Sequence, residues 1–186
     1  MSDKDADFDE FAAGAWPRLR RSAYLLCGDA HLAEDLAQTA LVRTYAAWGR
    51  VRRADAHAYA RRTLVNLNID RHRRRLGVTE VGGDALLGAE AAGPAADTVA
   101  DRDEVVRLLA DLSVKERRIV VMRHYYDLPE AQVAAELGVA RGTVRSTLSR
   151  ALAKLRDGLA PAPDPLSDTV PDPVPDSGRT TGRTTR

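Results

Sequence analysis

A chain of 186 residues is long enough for one medium domain or two small ones. Its 28 Lys+Arg against 27 Asp+Glu leave a net charge of +1, and with 30% charged residues and no apolar run long enough to span a bilayer it does not read as a membrane protein. A single cysteine, Cys27, excludes an intrachain disulfide, and the acidic start MSDKDADFDE lacks the basic-then-apolar order of a signal peptide, so a cytoplasmic protein is expected.

Aromatic residues are scarce, Ala and Arg are abundant, and β-branched runs are few, which favours helix over sheet. The charge is near zero only as a sum. Residues 50–75 hold nine Arg and two acids, Asp55 and Asp70. Residues 77–100 hold four acids (Glu80, Asp84, Glu90, Asp97), five Gly and no base. With no sustained apolar period, that segment reads as a flexible acidic linker between two basic modules. Six of the nine prolines lie beyond Leu159, followed by SGRTTGRTTR, so residues 160–186 read as a disordered tail. The expected fold is all-α: two small helical domains, 8–76 and 101–159, joined by the linker 77–100.

In the first domain Phe8, Phe11, Ala12 and Ala15 recur at helical spacing. Pro17 fits the first turn of a second helix, which runs through Leu19, Ala23 and Leu26 to Gly28. Cys27, in the apolar run AYLLC, reads as a buried, inert thiol. Asp29 is the expected N-cap of a third helix, AHLAEDLAQTALVRTYAAW, with Leu36, Ala40 and Leu41 among its apolar positions. A fourth, AHAYARRTLVNLNIDRHRRR, carries Tyr59, Leu64, Leu67 and Ile69 among its basic residues. The expectation is a helical bundle whose last helix leaves positive.

The second domain opens on a stripe of Val105, Leu108, Leu109 and Leu112. Ser113 and Glu116 form a capping-box pair, and Ile119, Val120 and Met122 begin another stripe. Pro129 fits a helix start and Gly138 a left-handed helix end. A turn of about three residues leads into GTVRSTLSRALAKLR. Small Ala134 lets a second helix cross closely, and Val133, Leu137, Val139, Val144 and Leu148 form the expected shared core, in a helix-turn-helix pattern.

Residues 138–156 carry five positive charges and no negative one. With Val144, Leu148 and Leu152 turned inward, Arg141, Arg145, Ser146, Ser149 and Arg150 face outward. Arg can contact guanine edges or phosphate bidentately, and Ser or Thr can hydrogen-bond to either. The plain alternative is a solvated basic face; the coincident Ala, Gly and Val spacing favours DNA binding.

The stretch LSVKERRIVVMRHYYDLPEAQVAAELGVARGTVRSTLSRALAKLR resembles the minus-thirty-five-binding domain of extracytoplasmic-function sigma factors. YLLCGDAHLAEDLAQTALVRTYAAW resembles the segment with which these factors grip the clamp of RNA polymerase, and AYARRTLVNLNIDRHRRR their minus-ten-reading helix. The run from Gln38 to Trp48 is similar to the sigma-E-type subgroup common in actinobacteria. The resemblance implies core RNA polymerase contacts at Glu34, Asp35, Gln38 and Leu41. It implies minus-ten DNA contacts at Arg61, Arg62, Asn66, Asp70, Arg73 and Arg74, and minus-thirty-five contacts at Arg141, Thr143, Arg145, Ser146, Ser149 and Arg150. The implied partners are core RNA polymerase, promoter DNA both double-stranded and melted, and, where one exists, an anti-sigma factor.

Some positions keep two readings. Asp70 reads more readily as pairing a neighbouring Arg than as touching DNA. In WGRVRRADAH, the loop that by resemblance receives a base swung out of the duplex, Trp48 reads more readily as core and His57 as surface. Val65 stands where the family usually has Arg, Ala140 where it often has a capping Ser, and Pro129 where it frequently has Ser. Asp97, Asp101, Asp103 and Glu104 form an acidic cluster at a helix start, where acids favour the helix dipole; a metal-dependent nuclease is the weaker reading. No C-x-x-C, G-x-x-x-x-G-K-[ST] or H-E-x-x-H occurs. No enzyme, cofactor or metal is expected. The alternative function is a helix-turn-helix regulator that never joins polymerase.

Overall fold

The computed structural model describes residues 3–75, 77 and 104–159, and every regular element among them is helical. The expected linker, apart from Gly77, and the expected tail lie outside the described residues, as do Asp97, Asp101 and Asp103.

Helix α1 runs Asp3–Cys27 without a break. This corrects the expected division at Pro17. A proline inside a helix removes one N–H and crowds the carbonyl four residues back, at about 3 kcal/mol or more. Here Ala13 and Pro17 are both exposed, so the orphaned carbonyl lies on the solvent side. On the opposite side Ala15, Leu19 and Ala23 bury one continuous face that holds the helix through the proline.

Helix α2, Ala30–Ala46, starts at Asp29, whose carboxylate accepts from the Leu32 amide at 2.9 Å. Its inner face is Ala33, Leu36, Ala37 and Ala40, mostly small side chains that let α1 approach closely. A turn and a short 3-10 helix, Arg53–Asp55, lead into α3, Ala56–Arg75, which buries Ala60, Leu64 and Leu67 in the same core. Trp48 is 5% exposed, packed against Phe8 and Phe11 with the Arg53 guanidinium over its ring. The core reading of Trp48 agrees with this, and its face is not an open stacking platform. His57 is exposed, beside the Phe11 ring.

The second domain begins with α4, Glu104–Ala110, and α5, Val114–Val120. The capping box at the start of α5 is complete, Ser113 and Glu116 satisfying each other's amides at 2.9 and 3.3 Å. The helix then widens into a π turn, Val121–Tyr125, closed by the Tyr126 amide on the Val121 carbonyl. Helix α6, Glu130–Leu137, ends at Gly138 with φ 66° and ψ 35°, a left-handed conformation that costs glycine nothing. Helix α7, Arg141–Leu159, buries Val144, Thr147 and Ala151; Leu148 and Leu152 are half-buried. The inward stripe therefore sits one residue round from the expected one, because Thr147 and Ala151 are small enough to lie at the crossing.

The two domains share a core. Leu25, Leu26 and Val65 of the first belong to the same apolar cluster as Leu109, Leu112, Ile119, Met122 and Val133 of the second.

Candidate nucleic-acid interface

Successive turns of α3 place Arg62, Asn66, Asp70 and Arg74 on one stripe, and all four are exposed. Asn66 can both donate to and accept from a base edge. Arg74 Nε donates to the Asp70 backbone carbonyl at 3.3 Å, while the Asp70 carboxylate makes no ion pair among the described residues. The suggested pairing of Asp70 with an arginine is therefore a main-chain contact. Arg73 is half-buried. Arg61 lies on the neighbouring stripe and is buried, its guanidinium 2.6 Å from the Glu136 carboxylate of α6. In this arrangement it is not on the outer surface with Arg62, Asn66, Asp70 and Arg74.

In α7, Arg141, Arg145, Ser146, Ser149 and Arg150 are exposed and Thr143 is half-buried. Glu130, at the start of α6, sits 3.6 Å from Arg141 and 3.4 Å from Arg145. With the arginines 66% and 71% exposed, these pairs hold little energy and leave both side chains free to reorient. Arg150 reaches the Thr147 hydroxyl at 3.4 Å. Lys154 is committed elsewhere, donating to Glu116 at 2.9 Å. Burial works against the Glu116 anion, but the Lys154 ammonium and the Ser113 hydrogen bonds outweigh it and hold the carboxyl below its ordinary range.

On α2, Glu34, Asp35 and Gln38 are exposed. Leu41 packs half-buried against the core, and the next residue, Val42, is 66% exposed. On this face Val42 lies one turn beyond Gln38 and about two turns beyond Asp35 and Glu34, so an exposed apolar side chain follows an exposed polar stretch. Between α2 and α3 an open cleft of about 530 Å³ has Leu32, Leu36 and Leu67 along its walls, with Asp35, Arg43, Arg71, Arg74 and Arg75 around them. Asp35 of the expected polymerase face and Arg74 of the expected DNA face thus border one cleft.

Sequence reasoning missed a third group, at the junction of the domains. Arg117 donates to carbonyls of Leu109, Ala110, Leu112 and Leu26, the last of these in the other domain. Arg118 donates to the side chain and the carbonyl of Asn68. Burial, with Arg73 and Arg117 nearby, pulls the Arg118 guanidinium down to about 10. The Tyr126 hydroxyl lies 2.5 Å from Ser22 Oγ, and burial pushes it up to about 12. Cys27 is half-buried rather than buried as expected; its thiol donates to the Asp29 carbonyl at 3.2 Å, and burial pushes it up to about 11. The available signal was the pair Arg117–Arg118 inside the apolar stripe of α5, with no acid at helical spacing to neutralise it on the same face.

Two helical domains, one with an exposed Arg/Asn stripe and an exposed Glu/Asp/Gln stretch, the other a helix-turn-helix whose second helix exposes arginines, have the architecture of a promoter-specificity subunit. The chain belongs to the sigma-70 family, as a sigma-E-type factor of the extracytoplasmic-function class that binds core RNA polymerase and directs transcription initiation. Residues 16–76 match the family model described as sigma-70 region 2, and residues 102–155 that of sigma-70, region 4. Over 135 residues the chain is 40% identical to the RNA polymerase sigma-E factor of Streptomyces avermitilis, covering 72% of this chain and 74% of that one. Against the sigma-E factor of Streptomyces coelicolor the identity is 38%, over 72% and 75%. Among solved structures, the sigma factor RpoE in complex with the anti-sigma factor NepR from Bartonella quintana superimposes with a TM-score of 0.62 at 25% identity, covering 82% of this chain and 96% of that one. Sigma factors are not enzymes; the polymerase performs the chemistry. Among the described residues no helix is long and apolar enough to cross a membrane.

Proposed function

We propose that three faces divide the work of initiation. Glu34, Asp35 and Gln38 on α2, around Leu41 and Val42, hold core RNA polymerase. The stripe Arg62–Asn66–Asp70–Arg74, with Arg73 and, once released, Arg61, engages the minus-ten element as it opens. Arg141, Arg145, Ser146, Ser149 and Arg150 of α7, with Thr143 at its first turn, read the minus-thirty-five element in the major groove.

The observation that carries this reading is the orientation of α7. Val144, Thr147 and Ala151 are buried while three arginines and two serines are exposed on the other side, a face suited to phosphate and base edges alike. Domain limits of 8–76 and 101–159, with a linker between them long enough to reach two promoter elements, fit this division. An anti-sigma factor is proposed as a further partner, supported by the likeness to a sigma factor solved with one. The work is done in the cytoplasm.

A run-off transcription assay tests the reading. Core polymerase with this chain should give a defined transcript from a cognate promoter, and neither component alone should. DNA binding without any polymerase-dependent transcript would favour a regulator that acts apart from polymerase.

A further inference from the structure

A recess of about 70 Å³ opens between α1, α3 and α5, at the last turns of α3. Its polar lining is Cys27 of α1, Asn68, Arg71, His72 and Arg75 of α3, and Arg117 of α5. Most of their acceptors are already spent. The Cys27 thiol donates to the Asp29 carbonyl. Asn68 Oδ1 accepts from Arg118, which leaves the amide N–H groups as its contribution. Arg117 gives all but one of its N–H groups to carbonyls and keeps one on Nη1. Arg71 and Arg75 are exposed and form no ion pair among the described residues. His72 is 9% exposed, and its Nε2 has no partner there. What is left to a ligand is a set of donors and cations, with no acid in the lining.

We propose that this recess is a binding site for one small oxyanion of the phosphate class. Asn68, Arg117 and protonated His72 donate to it from the buried side, and Arg71 and Arg75 from the solvent side. None of these five belongs to the promoter or polymerase faces of the proposed function, so the site stands apart from that reading.

The first support is unbalanced charge. Arg117 and Arg118 are 5% and 4% exposed, and neither has a carboxylate within ion-pair distance among the described residues. Asp111 acts on Arg117 only from farther away. Buried charges are ordinarily paired; here carbonyls and Asn68 solvate two cations without neutralising them. The repulsion is felt by the groups themselves. Burial, Arg73 and Arg117 bring Arg118 down to about 10, and burial, Arg118, Arg75 and Arg117 hold His72 below its ordinary value. A bound anion turns each of these repulsions into a shared attraction.

The second support is size. One water centre needs about 10–15 Å³, so the recess takes a compact tetrahedral ion but not a nucleic-acid strand. One feature works against an anion, the carbonyl ends of α1 and α3 close by. Arg117 already covers the Leu26 carbonyl of α1, and Arg71 and Arg75 lie on the last turns of α3 itself.

The charged and titratable groups known to face His72 are Cys27 from α1, Arg71 and Arg75 from its own helix, and Arg117 and Arg118 from α5. An oxyanion among them favours the imidazolium, so binding takes up a proton at His72 near neutral pH.

The test uses the full chain, with inorganic phosphate as the probe against chloride at constant ionic strength. For a dissociation constant of about 1 mM, the melting temperature should rise by about 4 °C between zero and about 20 mM phosphate, and then level off. In the same titration the His72 ring ¹⁵N shifts should move towards the imidazolium at pH 6.5 to 7. His72→Gln should lose most of the thermal response. Should that variant fold poorly, Arg71→Gln with Arg75→Gln changes only exposed side chains and should weaken phosphate binding about tenfold or more. Phosphate also stabilises proteins by exclusion from their surface, but without saturation and alike in every variant. The same rise in wild type and variants, or His72 signals that phosphate leaves in place, overturns the site. His72 signals that move with a DNA oligonucleotide and not with phosphate overturn it too, and an equal response to chloride overturns the choice of an oxyanion.

Discussion

Arg117 of α5 donates to the backbone carbonyl of Leu26, at the C-terminal end of α1 in the other domain, at 3.3 Å. The same guanidinium takes the Leu109 and Ala110 carbonyls at the end of α4. It is 5% exposed and has no carboxylate within ion-pair distance among the described residues. A buried cation without an anion is costly, but helix C-termini present unsatisfied carbonyls and a partial negative charge. Arg117 therefore caps two helices from two domains with one planar group. Replacing it by Met keeps the volume and removes every donor. The stranded carbonyls should cost about 1–3 kcal/mol, read as a lower urea midpoint at unchanged m-value. A midpoint equal to wild type would mean that water caps these ends equally well.

Elements with a local cause were legible in the sequence. The Asp29 cap, the Ser113–Glu116 box and the Gly138 left-handed end each depend on residues within four positions, and each is present. The Pro17 break was misjudged because a local penalty was weighed without the buried face on either side of it. Arg61 was placed with the outward arginines because helical spacing gives only its stripe; that Glu136, 75 residues later, would cover that stripe is a tertiary fact. The partners of Arg117, Arg118 and Tyr126 were hidden for the same reason.

His72 supplies a pH prediction. It is buried, its Nε2 has no partner among the described residues, and burial, together with Arg118, Arg75 and Arg117, holds it below its ordinary value. Leu26, Cys27, Leu32, Asn68, Arg71 and Val114 border the same pocket, and none of them supplies an acid. The unfolded chain takes up this proton first as pH falls from neutrality. Stability is therefore unaffected by His72 above its unfolded value near 6.5 and declines as pH drops below it, until the lower folded value is reached. Between pH 7.5 and 5.5 the wild type should lose more melting temperature than His72→Gln. Parallel curves for the two proteins would show that His72 protonates freely in the fold.

The recognition helix gives a prediction with two arms. Arg145→Ala should weaken minus-thirty-five DNA binding by about 1–3 kcal/mol if it reads a base edge, and relax specificity at one position. If it meets phosphate only, the loss should be uniform across sequences and the salt slope should fall by about one. Glu130→Gln frees both Arg141 and Arg145 from their shared carboxylate. It should shift stability by less than about 0.5 kcal/mol and leave DNA affinity equal or higher. Unchanged affinity in Arg145→Ala would move the reading face elsewhere on α7.

The polymerase grip is tested most sharply where stability and binding separate. Asp35 and Gln38 are exposed on the outer side of α2, whose inner side is Ala33, Leu36, Ala37 and Ala40. Replacing both by Ala removes no buried contact, and alanine favours the helix, so unfolding should move by less than about 0.5 kcal/mol. Association is a different matter. In the proposed grip exposed Val42 would supply a small apolar contact and the polar groups along the helix would fix register. Losing an acid that meets a basic partner also slows encounter, most visibly at low salt. The double variant should therefore lose detectable association with core polymerase while isolated minus-thirty-five binding, which uses α7 alone, stays at the wild-type level. Normal transcription by this variant would place the grip on another face. Thr39, Arg43 and Ala46, also on α2 and outside its buried face, would then be the next to substitute.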